Sequence, residues 1–252
     1  MSRVSLRDLH IEDEAAFRHV GWYGDLKAVM ARPPQAFAVL EGEASRPGDA
    51  RLLNLAFWQP GDVAEVLCEP VISADQLMHS AWHVLGCNAL GAAARTALGL
   101  LLVESVASAF DIYLVGRVLG HCPDALFLQT QVPAMADAAE EAGLSDDGFA
   151  ALLQRAADEP EECFEQLQQL LFSVASQLLE ARDVDAAKAV LLAHRRATFA
   201  PLLHHYELVT WVLYARCYGA GGSAAAVAQS AAALAEGHAL KWLRHHWLNK
   251  QC

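Results

Sequence analysis

The sequence predicts a mainly α-helical protein, a single helical domain with a short β-hairpin-like element near residues 51–73. Apolar residues recur at helical spacing almost without interruption after Ser73, whereas short runs typical of strands stand just before it. We therefore place short helices, loops and strands in residues 1–73 and a helical core in residues 74–252. No linker-like segment divides the 252 residues, 54% of which are hydrophobic, and a chain of this length can bury a full core.

The N-terminal third contains the strand signals. Residues 8–31 have a loose helical spacing, and the prolines that follow leave room for one short ordered piece at residues 36–40. Two runs, LNLAFW within residues 52–58 and AEVLCEPVI at residues 64–72, are bounded by turn residues and predict a strand pair. Pro70 indicates the edge of a sheet, because proline cannot donate a backbone hydrogen bond.

From Ser73 onward the pattern is helical. Ser73, followed by Asp75 and Gln76, is typical of a helix N-cap, and the helix that it begins is expected to reach at least Leu85. The same periodicity predicts further helices over residues 92–119, 133–142, 146–157, 159–181, 184–197, 202–218 and 224–246.

The composition argues against several classes of function. Thirty acidic residues against eighteen basic ones give a formal net charge of −12, so we expect no nucleic-acid partner. The longest uncharged piece of the most apolar stretch, residues 84–94, is far shorter than the roughly 20 residues that cross a bilayer, so we expect no membrane partner. The sequence has no GxGxxG, P-loop or GxSxG motif, which disfavours nucleotide chemistry.

The first residues lack the apolar core of a secretion signal, and the six cysteines are scattered without a CxxC pair. We therefore expect a cytoplasmic protein with reduced thiols. The substrate is expected to be a small molecule or a peptide, and a homo-oligomer is compatible with the sequence.

The candidate site consists of two histidines and one glutamate. His79 and His83 stand four residues apart on a predicted helix, which places both imidazoles on one face, close enough to share a metal ion. A glycine-interrupted turn after this helix lets the next helix return antiparallel and bring Glu104 to the pair. All three lie in or beside the most apolar segment, where an ionisable group is costly unless it is paired or bound to metal.

Over residues 52–111 this arrangement resembles the gluzincin metallopeptidases, which carry HExxH on one helix and a glutamate ligand on the next. The resemblance implies that His79, His83 and Glu104 are metal ligands. Asp111, two turns after Glu104, is then a carboxylate that orients an imidazole from behind. Ser80 stands where the family has its general base, and a hydroxyl cannot take a proton from metal-bound water as a carboxylate does.

Four functions follow from these residues. Two histidines and one carboxylate are typical of non-haem iron sites, so iron-dependent oxidation of a small molecule or peptide is favoured over ordinary proteolysis. A zinc hydrolase-like protein or an inactive zincin is the second. A helical di-iron oxidoreductase that also recruits His204, His205 or Glu207 is the third. A non-catalytic helical protein that binds a partner, with its histidines merely packed, is the fourth. The expected cofactor is one ion of iron or zinc.

Overall fold

The computed structural model describes residues 1–41 and 64–249, and it confirms the mainly α-helical fold class. The strands of the described residues are β1 Ser2–Val4, β2 His10–Glu12, β3 Phe37–Val39, β4 Val66–Leu67 and β5 Val71–Ser73. The α-helices are α1 Glu14–Phe17, α2 Tyr23–Met30, α3 Ala74–Leu90, α4 Ala97–Leu119, α5 Leu126–Glu141, α6 Asp146–Asp158, α7 Pro160–Glu180, α8 Val184–His194, α9 Leu208–Tyr218, α10 Ala225–Ala235 and α11 Ala239–Leu243.

The strands form two small sheets at the N-terminal side. In the first, β3 pairs antiparallel with β1 and parallel with β4; in the second, β2 pairs parallel with β5. The predicted strand at residues 52–58 lies outside the described residues. The segment 64–72, predicted as one strand of a hairpin, is instead divided between β4 and β5. Both strands find their partners in the first forty residues, and Pro70 contributes its carbonyl, which accepts from the His10 amide at 3.0 Å.

Several helices begin at residues that cap them. Thr96 precedes α4 and its hydroxyl accepts from the Gly99 amide at 3.1 Å, and Ser145 does the same for Gly148 at the start of α6. Ser73 has the extended backbone of an N-cap immediately before α3. The start of α3 therefore agrees with the prediction from Ser73, although the Ser73 side chain makes no capping hydrogen bond, whereas α4 begins five residues later than predicted, at Ala97.

Other predicted boundaries were wrong, each for a local reason. The loose helical spacing of residues 8–31, which is broken near Gly21 and Gly24, corresponds to the two helices α1 and α2, but it did not predict β2 before them. Helix α9 begins at Leu208 rather than at residue 202, since Glu207 adopts a left-handed conformation with φ of 49°. The last predicted helix is interrupted between α10 and α11 at Gly237, whose φ is 92°. Helix α5 begins earlier than predicted, at Leu126, and accommodates Pro133 within it.

Helix α4 is the centre of the molecule. It packs against α3, α6, α7 and α9, and most of its side chains are buried. A Cβ added at Gly116 would lie 1.9 Å from the Ala156 carbonyl oxygen, so the glycine permits the close approach of α6 to α4. Among the described residues, α4 is the helix that is long and apolar enough to cross a membrane by length and composition; its burial here is also that of a core helix.

An aromatic cluster joins the N-terminal segment, α3 and the C-terminal end. The Trp82 ring on α3 lies 5.3 Å from that of Trp22, 5.2 Å from that of Phe110 and 6.5 Å from that of Trp247, measured between centroids. Arg244 lies 4.1 Å above the Trp22 ring, so the chain end closes over the cluster. This packing holds α3 in place, and the candidate ligands lie on an adjacent face of the same helix.

Candidate metal centre

The candidate ligands lie on two consecutive antiparallel helices. His79 and His83 occupy successive turns of α3, and Glu104 lies in the second turn of α4. A tight 3₁₀ turn at Gly91–Arg95 joins the helices, and Gly91 allows the reversal because its φ is 56°, a conformation that favours glycine. The short connection fixes the register of the two helices and therefore brings Glu104 opposite the histidines.

The three side chains converge on one point. The Nε2 atoms of His79 and His83 are 3.1 Å apart, and the Nε2 of His83 lies 3.0 Å from the Oε2 of Glu104. The Nε2 of His79 lies 3.7 Å from the Oε1 of Glu104. One ligand atom from each residue lies within 4.8 Å of those of the other two, so the group can hold a metal ion. The structure thus brings together the three residues that the sequence predicted as ligands.

The charge states of two of these side chains suit a cation. Burial lowers the pKa of His79 to about 4, against the opposing attraction of Glu104, so its imidazole is neutral near neutral pH. Burial raises the pKa of Glu104, but the nearby His83 and His79 outweigh that effect and the pKa is lowered overall. A neutral imidazole and an ionised carboxylate are the forms in which these groups ligate metals.

The surroundings of Glu104 also fit a bound cation. The Ser108 hydroxyl, one turn further along α4, donates to Oε1 at 2.9 Å and holds the carboxylate in position. Oε2 is buried and has no well-directed hydrogen bond from any described residue, although the Nε2 of His83 is close to it. A buried carboxylate oxygen without such a bond is costly unless a cation satisfies it.

The two imidazoles are more exposed than the carboxylate. The side chain of Glu104 is 6% exposed, whereas those of His79 and His83 are 27% and 21% exposed. The carboxylate therefore forms the floor of the site and the imidazoles its partly open rim. A metal held by three protein ligands in such a place keeps coordination positions for a further ligand.

The two additional residues predicted for the site have different surroundings. Asp111 lies on α4, where burial and the negative charges of Asp75 and Glu104 raise its pKa well above the ordinary value. Its electrostatic neighbours are thus acidic, and no hydrogen bond joins it to His79 among the described residues. Ser80 is 2% exposed, and its hydroxyl has no hydrogen-bond partner in the described part of the chain.

The residues of the di-iron alternative lie elsewhere. His204 and Glu207 are exposed, and the His205 ring packs edge-on against Tyr206. None of the three belongs to the group formed by His79, His83 and Glu104, and in the described ranges no second group of this kind occurs. The neighbouring Tyr206, which the sequence analysis did not single out, is buried, and its hydroxyl has no hydrogen-bond partner among the described residues.

Sequence reasoning also missed Glu65, the residue immediately before β4. Burial raises the pKa of Glu65, and the charges of His83 and Glu104 act on its carboxyl, although Glu65 is not among the residues that converge on the candidate centre. Ser108 was missed as well, although its spacing of four residues from Glu104 on a helix was a signal that could have found it. Glu65 gave no such signal, because only the fold brings the N-terminal strands to α3.

No family model matches this chain, and searches of curated proteins and of solved structures found no similar protein. The geometry of the site is therefore the basis for a functional assignment.

Proposed function

We propose that this protein is a metal-dependent enzyme whose single transition-metal ion is held by His79, His83 and Glu104. The observation that carries the proposal is the convergence of three ligand atoms within 4.8 Å on an apolar helix pair. The buried Oε2 of Glu104, which faces the Nε2 of His83 without a well-directed hydrogen bond, supports it, because a metal ion shared by these two atoms satisfies both.

The ligand set favours iron and the oxidation of a small molecule or peptide. Two imidazoles and one carboxylate suit ferrous iron, which supplies open positions for a substrate and for dioxygen as the oxidant. The protein's contribution is to hold three ligands on rigid helices, to keep His79 neutral and to leave the histidine side open. Ser80, at the place of the gluzincin base, is buried with its hydroxyl unpartnered, which disfavours hydrolysis by the mechanism of that family.

A second candidate function, zinc-dependent hydrolysis, is favoured by Glu65. The charges of His83 and Glu104 act on this carboxyl, and burial raises its pKa, which favours a group that accepts and returns a proton. If Glu65 takes the part that glutamate plays in HExxH, the resemblance to the gluzincins extends to the reaction, with the base supplied by the residue before β4 instead of by the helix.

The experiment starts from protein that is stripped with a chelator and reloaded with ferrous iron or with zinc. We expect one equivalent of metal in the wild type, and less than a tenth of an equivalent, roughly, in His83→Asn under the same conditions. His10→Gln is the matched control, because His10 is exposed and lies outside the site. Equal metal content in wild type and His83→Asn contradicts the proposed centre.

The two loaded forms then separate the reactions. Oxygen consumption by the iron form with a panel of small molecules and peptides, lost in His83→Asn, supports oxidation. Cleavage of a peptide library by the zinc form, independent of oxygen and lost in Glu65→Gln with zinc still bound, supports hydrolysis. A metal-loaded protein that shows neither activity against these panels contradicts both reactions and leaves the centre as a binding site.

A further inference from the structure

Helix α8 has no buried residue, although apolar residues make up most of its sequence. Ala187, Val190 and Leu191 are partly buried against the core, so one side of the helix is held by the rest of the molecule. The outer side exposes Val184 by 68% and Leu192 by 57%. The outer face of a surface helix is normally polar, so exposed apolar side chains there are typical of a surface that packs against another molecule.

The exposed apolar surface continues on α9. Val209, Leu213 and Tyr218 are each more than half exposed, and with the two side chains of α8 they are most of the large apolar groups exposed in the described part of the chain. The Arg216 guanidinium on α9 donates to the carbonyl of Ala181 at 2.7 Å, just before α8 begins. The C-terminal end of α9 therefore lies beside the start of α8, in the same region of the surface.

Four exposed residues on the outer side of α8 form a line along the helix. Asp185, Ala189 and Leu192 are spaced by four and three residues, which places them on one face. Arg196 follows four residues later, in the turn just beyond the helix. The side chain of Asp185 is 97% exposed, and Lys188 approaches it only at 4.0 Å. The line thus begins with an acid, continues with a small and a large apolar residue, and ends with a base.

We propose that α8 packs against α8 of a second copy of this chain, antiparallel about a two-fold axis. In this arrangement Ala189 faces Leu192 of the partner subunit, so a large apolar side chain fits against a small one on each side of the axis. Asp185 faces Arg196 of the partner subunit, so unlike charges meet at both ends of the helix pair. A parallel arrangement would instead place each charge beside its own copy, which like-charge repulsion disfavours.

The spacing of the four residues fits this symmetry. Asp185 and Arg196 are equally far along the chain from the midpoint between residues 190 and 191, and so are Ala189 and Leu192. One two-fold axis therefore satisfies both pairs, as a self-complementary interface requires. The outer side of α8 supplies fewer than the roughly 20–30 residues that a standard interface has on each side, so we expect a Kd of roughly 10 μM. This dimer does not depend on the metal centre or on its reaction.

Sedimentation equilibrium of the full chain tests the proposal, with a reductant present so that disulfides do not contribute. Between about 1 μM and about 1 mM chain we expect a reversible monomer–dimer equilibrium. Leu192→Asp places a charge at the centre of the helix pair and should raise the dimer Kd at least about thirtyfold. Leu126→Asp is the matched control, because Leu126 is an exposed leucine on α5, where the adjacent Phe127 amide donates to Asp13. This variant should leave the Kd unchanged.

Charge reversal tests the antiparallel register. Asp185→Arg and Arg196→Glu each place like charges opposite one another at both ends, so each should raise the Kd roughly tenfold. The double variant Asp185→Arg/Arg196→Glu restores unlike pairs and should return the Kd to within about threefold of the wild type. Circular dichroism checks that every variant is folded, and the recovery in the double variant distinguishes pairing from general damage to α8.

Three results would overturn the proposal. A chain that remains monomeric up to about 1 mM has no such dimer, and its α8 is then open to a different partner. A dimer with the same Kd in wild type and Leu192→Asp uses another surface. Single reversals that weaken the dimer without recovery in the double variant exclude the antiparallel pairing of Asp185 with Arg196 of the partner subunit.

Discussion

The Nε2 of His83 lies 3.0 Å from the Oε2 of Glu104, and this contact joins two antiparallel helices that are otherwise held together by apolar packing. The aromatic cluster around Trp82 fixes α3, and Ser108 fixes the carboxylate on α4. Each ligand is therefore held by a rigid element. Such pre-organisation lowers the cost of assembling a metal centre, because little side-chain freedom remains to be lost when the metal binds.

Two buried serines on α4 have different hydrogen-bond partners. Ser108 donates to Glu104, whereas the hydroxyl of Ser105 accepts from the side chain of Gln168 on α7 at 3.0 Å. We expect Ser108→Ala to weaken metal binding about tenfold, because the carboxylate loses the donor that orients it. Ser105→Ala should leave the metal affinity unchanged and destabilise the fold by about 1 kcal/mol. Competition with a chelator and urea unfolding measure the two effects; equal effects of both variants on metal affinity would contradict this division.

The metal-free protein should lose part of its stability in mild acid because of His79. Its folded pKa of about 4 lies below the ordinary value, so the unfolded state binds more protons as the pH falls. The contribution is fully present above about pH 6.5 and is lost on the way to about pH 4, at about 1.4 kcal/mol per pH unit.

Comparison of the wild type with His79→Gln isolates the contribution of His79 to the free energy of unfolding. This comparison is needed because the raised pKa of Asp111 changes stability with pH in the opposite direction. Unfolding by urea in the presence of a chelator should show the difference in unfolding free energy shrinking by about 2 kcal/mol between about pH 7 and about pH 5. His10→Gln, at an exposed position, serves as the control. A difference that does not change with pH would contradict the neutral, buried state of His79.

Two glycines near the end of α4 form a matched pair for testing the core. A Cβ at Gly116 would lie 1.9 Å from the Ala156 carbonyl oxygen, whereas one at Gly120 has nothing within 4 Å. Gly116→Ala should therefore push α6 from α4 and destabilise the fold by about 3 kcal/mol or more, in the upper range of overpacking. Gly120→Ala should change stability by less than about 1 kcal/mol. Thermal unfolding measures both, and similar Tm values for the two variants would contradict the close packing.

The features that the sequence predicted well depend on residues that are close together in the chain. The spacing of His79 and His83, the cap at Ser73 and the glycine-containing turn before α4 all act within a few residues, and together they brought Glu104 to the histidines. What it missed depends on contacts between distant segments. The pairing of β4 and β5 with the first strands, the approach of Glu65 and the position of Tyr206 leave no periodic trace in the sequence.

The residues of the di-iron alternative lie apart from the candidate centre for a similar reason. His204, His205 and Glu207 were predicted to begin a helix, and a helix start there would have presented them on a regular face. Instead, Glu207 adopts a left-handed conformation and α9 begins only at Leu208. Residues 203–207 form turns. A conformation of this kind in a residue other than glycine is set by its packing, which the sequence pattern does not report.

Metal binding should raise the thermal stability of the protein, and this effect can be measured without a known substrate. A metal that binds only the folded chain stabilises it by about 2.7 kcal/mol when its free concentration is a hundred times its Kd. For a chain of this size that corresponds to an increase in Tm of roughly 5 to 10 °C. We expect zinc or ferrous iron to produce such an increase in the wild type.

Glu104→Gln keeps the size of the side chain and removes the charge, so we expect it to lose most of this increase in Tm. Glu140→Gln, on the exposed side of α5, should keep it in full. The metal-free Glu104→Gln protein should remain folded, because the amide still accepts from Ser108 and can donate to an imidazole nitrogen. An equal increase in Tm for both variants would show that the stabilising metal binds outside the centre formed by His79, His83 and Glu104.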